Sequence, residues 1–195
     1  MTKILLPAAI AASLIVPSVA QAQAVPPAAI AVVDLDRVTN DCTACKTAST
    51  ALRAQVTALQ TRQKSLAAPL QTEQKAIQTA IDALGGKEPD AALKARIKAF
   101  QTREQTGTQE VAAQQQQIQR NQQYIQKQIL DKLNPIYSQV MQKRGANVLV
   151  EVGSTLATTQ TLDVTTDVLT ALNAAMPTIS VVAPATAQTK TPQGR

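Results

Sequence analysis

Apolar residues recur along this chain in alternating steps of four and three, in two runs mirrored about a single Gly-Gly. Going out, the positions are Leu52, Val56, Leu59, Gln63, Leu66, Leu70, Glu73, Ile77, Ala80 and Leu84. Coming back, they are Leu93, Ile97, Phe100, Glu104, Gly107, Val111, Gln114, Ile118, Asn121 and Ile125. That step is the a and d seam of a coiled coil. Gly85-Gly86-Lys87-Glu88-Pro89 separates the runs and turns the chain. The pattern predicts a long antiparallel helical hairpin with its tip near 85–89. The outgoing helix is expected to start near Asn40 or Asp41, either a credible cap, and to end at Leu84. The returning helix should begin at an Asp90 cap and run to about Arg144, with Gly145 as the stop. At about 1.5 Å per residue, the outgoing helix would span roughly 60–65 Å. A slender shaft leaves no room for an active site, so the pattern points to physical contact.

The shaft carries irregularities. Pro69 interrupts the outgoing run and should kink it; Gly107 interrupts the returning one. A hairpin folded about residue 87 or 88 places them side by side, which predicts a hinge; the alternative is that each is tolerated separately. Polar seam residues at Gln63, Glu73, Glu104, Gln114 and Asn121 set register at a cost in packing. Pro135 is expected to break the returning helix between Leu133 and Ile136.

The flanks read as a small α+β head. Ala29 to Val33 and Asn147 to Val152 are short apolar runs with the look of strands, and Leu156 to Leu162 a third, weaker one. Asp163 or Thr165 should cap a final helix whose apolar face is Val168, Leu169, Leu172 and Met176. Pro177 ends it, and 177–195 is expected to be a disordered tail. The expected division is head at 29–45 and 136–176 and arm at 46–135. A head of some 60–70 residues is marginal alone and leaves strand edges open. Assembly through Ile30, Val32, Val148, Val150 and Val152 would answer both problems.

Composition narrows the function. The chain of 195 residues contains no His, which removes histidine triads and histidine metal sites. Aromatics are only 2%, low for a globular core of this length. Residues 1–24 read as a secretory signal: Lys3, an apolar Ile4–Val16, then overlapping A-x-A sites that place cleavage after Ala22 or Ala24. An uncleaved anchor is the alternative, although the apolar stretch is short for a membrane span. No Cys stands directly after either cleavage site, which disfavours a lipid anchor. The mature protein is therefore expected to be soluble and exported, which disfavours nucleic acid as a partner. From Lys46 to Arg144 there are 15 Lys/Arg against 7 Asp/Glu, whereas both flanks are mildly acidic. A basic shaft suits acidic proteins, acidic polymers, and anionic lipid or lipopolysaccharide surfaces. Lys87, Lys94, Arg96, Lys98 and Arg103 cluster on the distal return arm as candidate contacts, or as an ordinary solvated face.

Cys42-Thr43-Ala44-Cys45 is the one motif with chemical potential. A zinc site needs four ligands, and one chain offers two Cys and no His. A helix start would lower a thiol pKa, as a redox pair requires, but no thioredoxin-like sheet surrounds it. In an oxidising compartment a local disulfide is the plain reading, with cross-subunit or free thiols as further alternatives. Asp34 and Asp36 read as turn and cap residues, and no P-loop is present. No cofactor is called for and no enzymatic activity is expected.

In order and spacing the chain resembles the Skp/OmpH family of periplasmic chaperones. The resemblance rests on Ile30-Ala31-Val32-Val33-Asp34 and the basic hairpin, then Asn134-Pro135-Ile136-Tyr137 and Asn147 to Val152. It closes with Leu162-Asp163-Val164-Thr165-Thr166-Asp167-Val168-Leu169. It implies a jellyfish-like homotrimer: heads joined as a small β-structured body, with three arms around a cavity. It also implies an ATP-independent holdase for unfolded outer-membrane proteins. The basic lipopolysaccharide patch credited to the family is not carried over to particular residues of this chain. A non-catalytic coiled-coil spacer or adaptor of the envelope is the second reading, and a thiol oxidoreductase at Cys42 and Cys45 the third.

Overall fold

A computed structural model describes residues 25–184. The expected signal peptide, 1–24, and part of the expected tail, 185–195, lie outside the described residues. The element order is β1 (Ile30–Val33), α1 (Leu35–Asp41), α2 (Thr43–Asp82), α3 (Ala91–Arg144), β2 (Val148–Glu151) and α4 (Thr165–Ala175). Short 3-10 turns fall at Val152–Ser154 and Gln160–Leu162.

Two long helices form the arm. α3 starts where Asp90 Oδ1 accepts the Leu93 N–H at 2.7 Å, which satisfies one of the free amides of the first turn. It ends at Gly145 with φ 68°, a left-handed position that glycine adopts without steric penalty. The tip between the helices bends through Gly85 and Gly86, at φ 55° and 90°. Both expected interruptions are absorbed. α2 stays helical through Pro69 and α3 through Pro135. For Pro135 the expected break is wrong, and the reason is tertiary. Leu133, Ile136 and Val140 are all buried on the core side of the same helix. Burying three such side chains returns roughly 1.5–3 kcal/mol each, more than the ~3 kcal/mol that an interior proline costs.

The helix on the outgoing side does not begin at Asn40 or Asp41. A separate α1 comes first, capped by Asp34, whose Oδ1 accepts the Arg37 N–H at 2.8 Å. The chain breaks at Cys42 (ψ 124°), and α2 starts at Thr43. Asn173 on α4 reaches across to accept the Thr43 N–H at 2.9 Å, so α4 helps to cap the arm.

The head packs β1, α1, the start of α2, the end of α3 and α4 around one core. Its members include Val33, Val38, Cys42, Leu133, Ile136, Val140, Val168, Leu172 and Met176. Leu133 belongs to this core, so the head reaches further down α3 than the expected boundary at 135. β1 and β2 pair in parallel, with Ile30 opposite Val148 and Val33 opposite Glu151. A parallel pair needs a long crossover, and here the whole arm is that crossover. The expected third strand at 156–162 does not form. Its Thr-rich chain stays in loop and 3-10 turn, Leu156 is fully exposed, and only Asp163 bridges to Val32. Neither Asp163 nor Thr165 is the formal cap of α4; that position is Val164. The two side chains instead clasp the strand end. Asp163 Oδ1 accepts the Thr165 N–H at 2.8 Å, and Thr165 Oγ1 accepts the Asp34 N–H at 2.9 Å. Hydrogen bonding from the Thr165 side chain, and then from its N–H, holds the Asp163 carboxyl below its usual pKa.

Candidate binding surface of the helical arm

A two-helix arm can bury only one side of its seam. Leu59, Ile77, Gly107, Asn121 and Ile125 are buried, while Val56 remains 40% exposed. The polar seam residues divide. Gln63, Glu104 and Gln114 are exposed, whereas Glu73 is half-buried and Asn121 is enclosed. The hairpin register is read from cross-arm pairs. Arg62 donates twice to Glu110, at 2.8 and 2.9 Å. Arg96 donates to Glu73 at 2.7 Å, with Arg103 3.8 Å from the same carboxylate. Hydrogen bonds from Arg62 and Arg96 hold Glu110 and Glu73 below the usual carboxylate range. Because their folded pKa values are lowered, these pairs support the arm above the ordinary carboxylate pKa. That support is lost as pH falls through the lowered values.

These pairs alter the picture of the basic cluster. Arg96 and Arg103 pair with Glu73, and Lys94 pairs with Glu88 at 3.3 Å. Of the five candidate contacts, only Lys87 and Lys98 make no ion pair among the described residues. Sequence spacing could not show this, because the pairing depends on which turn of α2 faces which turn of α3.

Pro69 and Gly107 line one shallow depression, together with Leu66, Leu70, Thr106 and Glu110. A Cβ built at Gly107 would meet the Leu66 methyls at 3.6 and 3.8 Å, ordinary contact distances. Gly107→Ala is therefore expected to raise arm stability by about 0.5–1 kcal/mol. Thermal unfolding followed by helical circular dichroism at 222 nm reads it.

A larger cleft of about 480 Å³ lies nearer the head, between α2 and α3. Leu59, Ala58 and Ile118 give it an apolar floor, and Gln55, Gln114 and Asn121 edge it. Asn121 is 2% exposed, and both polar atoms of its side chain are hydrogen-bonded. Its Nδ2 donates to Gln55 Oε1 at 2.8 Å, and its Oδ1 accepts from Gln117 Nε2 at 2.8 Å. That oxygen also accepts the Ala183 N–H at 2.8 Å. The last contact belongs to a segment expected to be disordered. Residues 177–184 instead lie against α3, with Ile179 packed on the head core and Val182 at the cleft. Sequence reading missed this strap and its amide partners Asn121 and Gln128. The available signal was the return of apolar residues at Ile179, Val181 and Val182 after the Pro177 break.

Of the assembly candidates, Val32 is buried, while Ile30 and Val148 are 46% and 39% exposed. Val150 and Val152 are half-buried. β1 is engaged on both sides, by β2 and by the Asp163 bridge, whereas among the described residues β2 pairs only with β1. Cys42 and Cys45 form a disulfide with Cα atoms 5.1 Å apart, and both are buried. No cluster of three or more metal-ligating side chains occurs among the described residues. None of their helices is long and apolar enough to cross a membrane.

The geometry is that of a small sheet-bearing head carrying one long antiparallel helical arm. A family model described as outer membrane protein (OmpH-like) matches residues 29–172. The chain belongs to this OmpH-like family. Among solved structures it is similar to a Caulobacter crescentus protein provisionally described as an outer membrane chaperone (OmpH-like). The TM-score is 0.65 at 18% identity, covering 80% of this chain and 90% of that one. At that identity the likeness is one of fold. No match was found among curated proteins.

Proposed function

We propose that this protein is an ATP-independent periplasmic holdase, trimeric through its head, that keeps unfolded outer-membrane barrel proteins soluble between its arms. The observation that carries the reading is the arm itself: a half-buried apolar seam, clefts floored by Leu and Ile, and a net positive shaft. Unfolded barrel strands alternate apolar and polar residues and aggregate in water. Shallow clefts repeated along several arms bind such chains weakly at each point and tightly in sum. Lys87 and Lys98, near the tip and without ion pairs among the described residues, are the cations best placed to meet acidic client segments. The open edge of β2, with exposed Ile30, Val148 and Leu156 nearby, supports assembly through the head. The shared depression at Pro69 and Gly107 supports flexing of the arm there.

A denatured outer-membrane barrel diluted from urea should stay soluble with this protein present and no nucleotide. Light scattering of the complex should report three subunits per client. If the client precipitates as fast as without the protein, the spacer reading takes its place.

The oxidoreductase reading is opposed by burial, since catalytic thiols must reach their substrate. Cys42 and Cys45 are 0% and 6% exposed. A disulfide closing so short a loop stabilises by about 2 kcal/mol. Cys42→Ala with Cys45→Ala is therefore expected to lower unfolding free energy by about 2 kcal/mol and leave client protection intact. Urea titration and the same aggregation assay separate the two effects.

A further inference from the structure

Among the described residues, every hydrogen bond between the strap and α3 uses a backbone atom of the strap. Gln128 Nε2 donates to the Ser180 carbonyl at 2.9 Å, and its Oε1 accepts the Ser180 N–H at 3.0 Å. A side-chain amide thus pairs with both polar groups of one residue, as a neighbouring strand would. Asn121 Oδ1 accepts the Ala183 N–H at 2.8 Å. Gln128 and Asn121 are one heptad apart, about 10.5 Å along a helix. Ser180 and Ala183 are three residues apart, about 10 Å of extended chain. The two rises match, so a straight strand stays in step with the helix. One heptad further out stands Gln114, on the rim of the same apolar cleft that Val182 edges. Asn121 is held in place by Gln55 and Gln117, so its carbonyl is aimed before any chain arrives. The strap alternates as a strand on a surface does: Ile179, Val181 and Ala183 are half-buried, and Ser180, Val182 and Pro184 exposed.

We propose that this amide-edged face of α3 is a binding site for extended, unpaired polypeptide backbone, occupied in the free protein by residues 180–183, which an incoming client strand displaces. Recognition through backbone amides ignores side-chain identity, and an apolar residue of the incoming strand would lie at the cleft edge where Val182 now stands. Only the identity of the incoming chain rests on the holdase reading; the site rests on the strap contacts.

The test uses a fluorophore-labelled peptide reproducing residues 177–184 and a labelled, urea-denatured outer-membrane barrel. Ending the chain after Ile179 keeps the core contact of that residue and vacates the site. Ala183→Pro in the full chain removes one strap donor without shortening anything. Both variants are expected to bind the peptide about ten-fold more tightly than the unaltered protein, the equivalent of one or two net hydrogen bonds. The barrel should bind them three- to ten-fold more tightly as well. Gln128→Ala added to the shortened chain should take back most of the gain. Equal peptide binding by all forms, or a gain that survives Gln128→Ala, overturns the site. If the peptide behaves as expected but no form binds the barrel, the backbone site stands and the holdase reading falls. If the barrel is bound equally by all forms and the peptide by none, the holdase reading stands and the site falls.

Discussion

Leu172→Ala is expected to lower the stability of the head by about 2–5 kcal/mol, the usual cost of emptying a closed leucine site. Leu172 is 0% exposed and belongs to the cluster that holds Leu133, Ile136 and Val140 from α3. It sits on α4, an eleven-residue helix. Helices of that length are marginal alone in water and depend on their buried face. α4 in turn caps the start of α2 through Asn173 and clasps β1 through Thr165. Loss of its anchor should therefore loosen the base of the arm and the strand pair together. Tyr137 offers a local probe, because it packs against this core and burial pushes its phenol pKa up. Urea unfolding followed by tyrosine fluorescence should show the midpoint shift. Leu156→Ala is the control: that residue is fully exposed, and its loss should change subunit stability by no more than about 0.5 kcal/mol. Equal effects from the two variants would mean that Leu172 does not anchor the core.

Shortening the arm should produce the largest functional change. The pairs Arg62–Glu110 and Glu73–Arg96 fix which residues face each other. Deleting 59–72 together with 100–113 removes two facing heptads from each helix and keeps the seam in phase. The arm loses about 21 Å. Head packing, which ends near Ile129, is untouched. We expect normal unfolding of the head, unchanged subunit number and a loss of barrel protection of at least ten-fold. Both clefts lose wall residues. Client solubility at fixed protein excess is the readout. Full protection by the short-armed variant would exclude the arm as the holding surface.

How much of this fold is legible in the sequence depends on the range of the forces involved. The hairpin, its Gly-Gly tip, the Asp90 cap and the Gly145 stop are local matters of periodicity and backbone freedom, and the chain states them directly. The first and last strands and α4 are legible as apolar runs. The misreadings share one physical origin. Pro135 reads as a break because proline costs a local hydrogen bond, and only the burial of Leu133, Ile136 and Val140 around it offsets that cost. The run 156–162 reads as a strand by propensity, but no neighbour supplies a ladder for it. Residues 177–184 read as tail from composition, yet Asn121 and Gln128, more than fifty positions earlier, hold their backbone.

For the candidate surface the same division holds. Positive charge along the shaft was visible in the sequence, and so was the facing of Pro69 and Gly107. Which cations remain unpaired was not, because Glu73 finds Arg96 and Arg103 only after the hairpin closes in one register. Sequence alone determined that this protein is a long basic rod on a small base, since helix period, caps and turns act within a few residues. Tertiary structure alone decided where the rod is open, because apolar clefts, ion pairs and the resident strap arise only when distant turns meet and exclude water together.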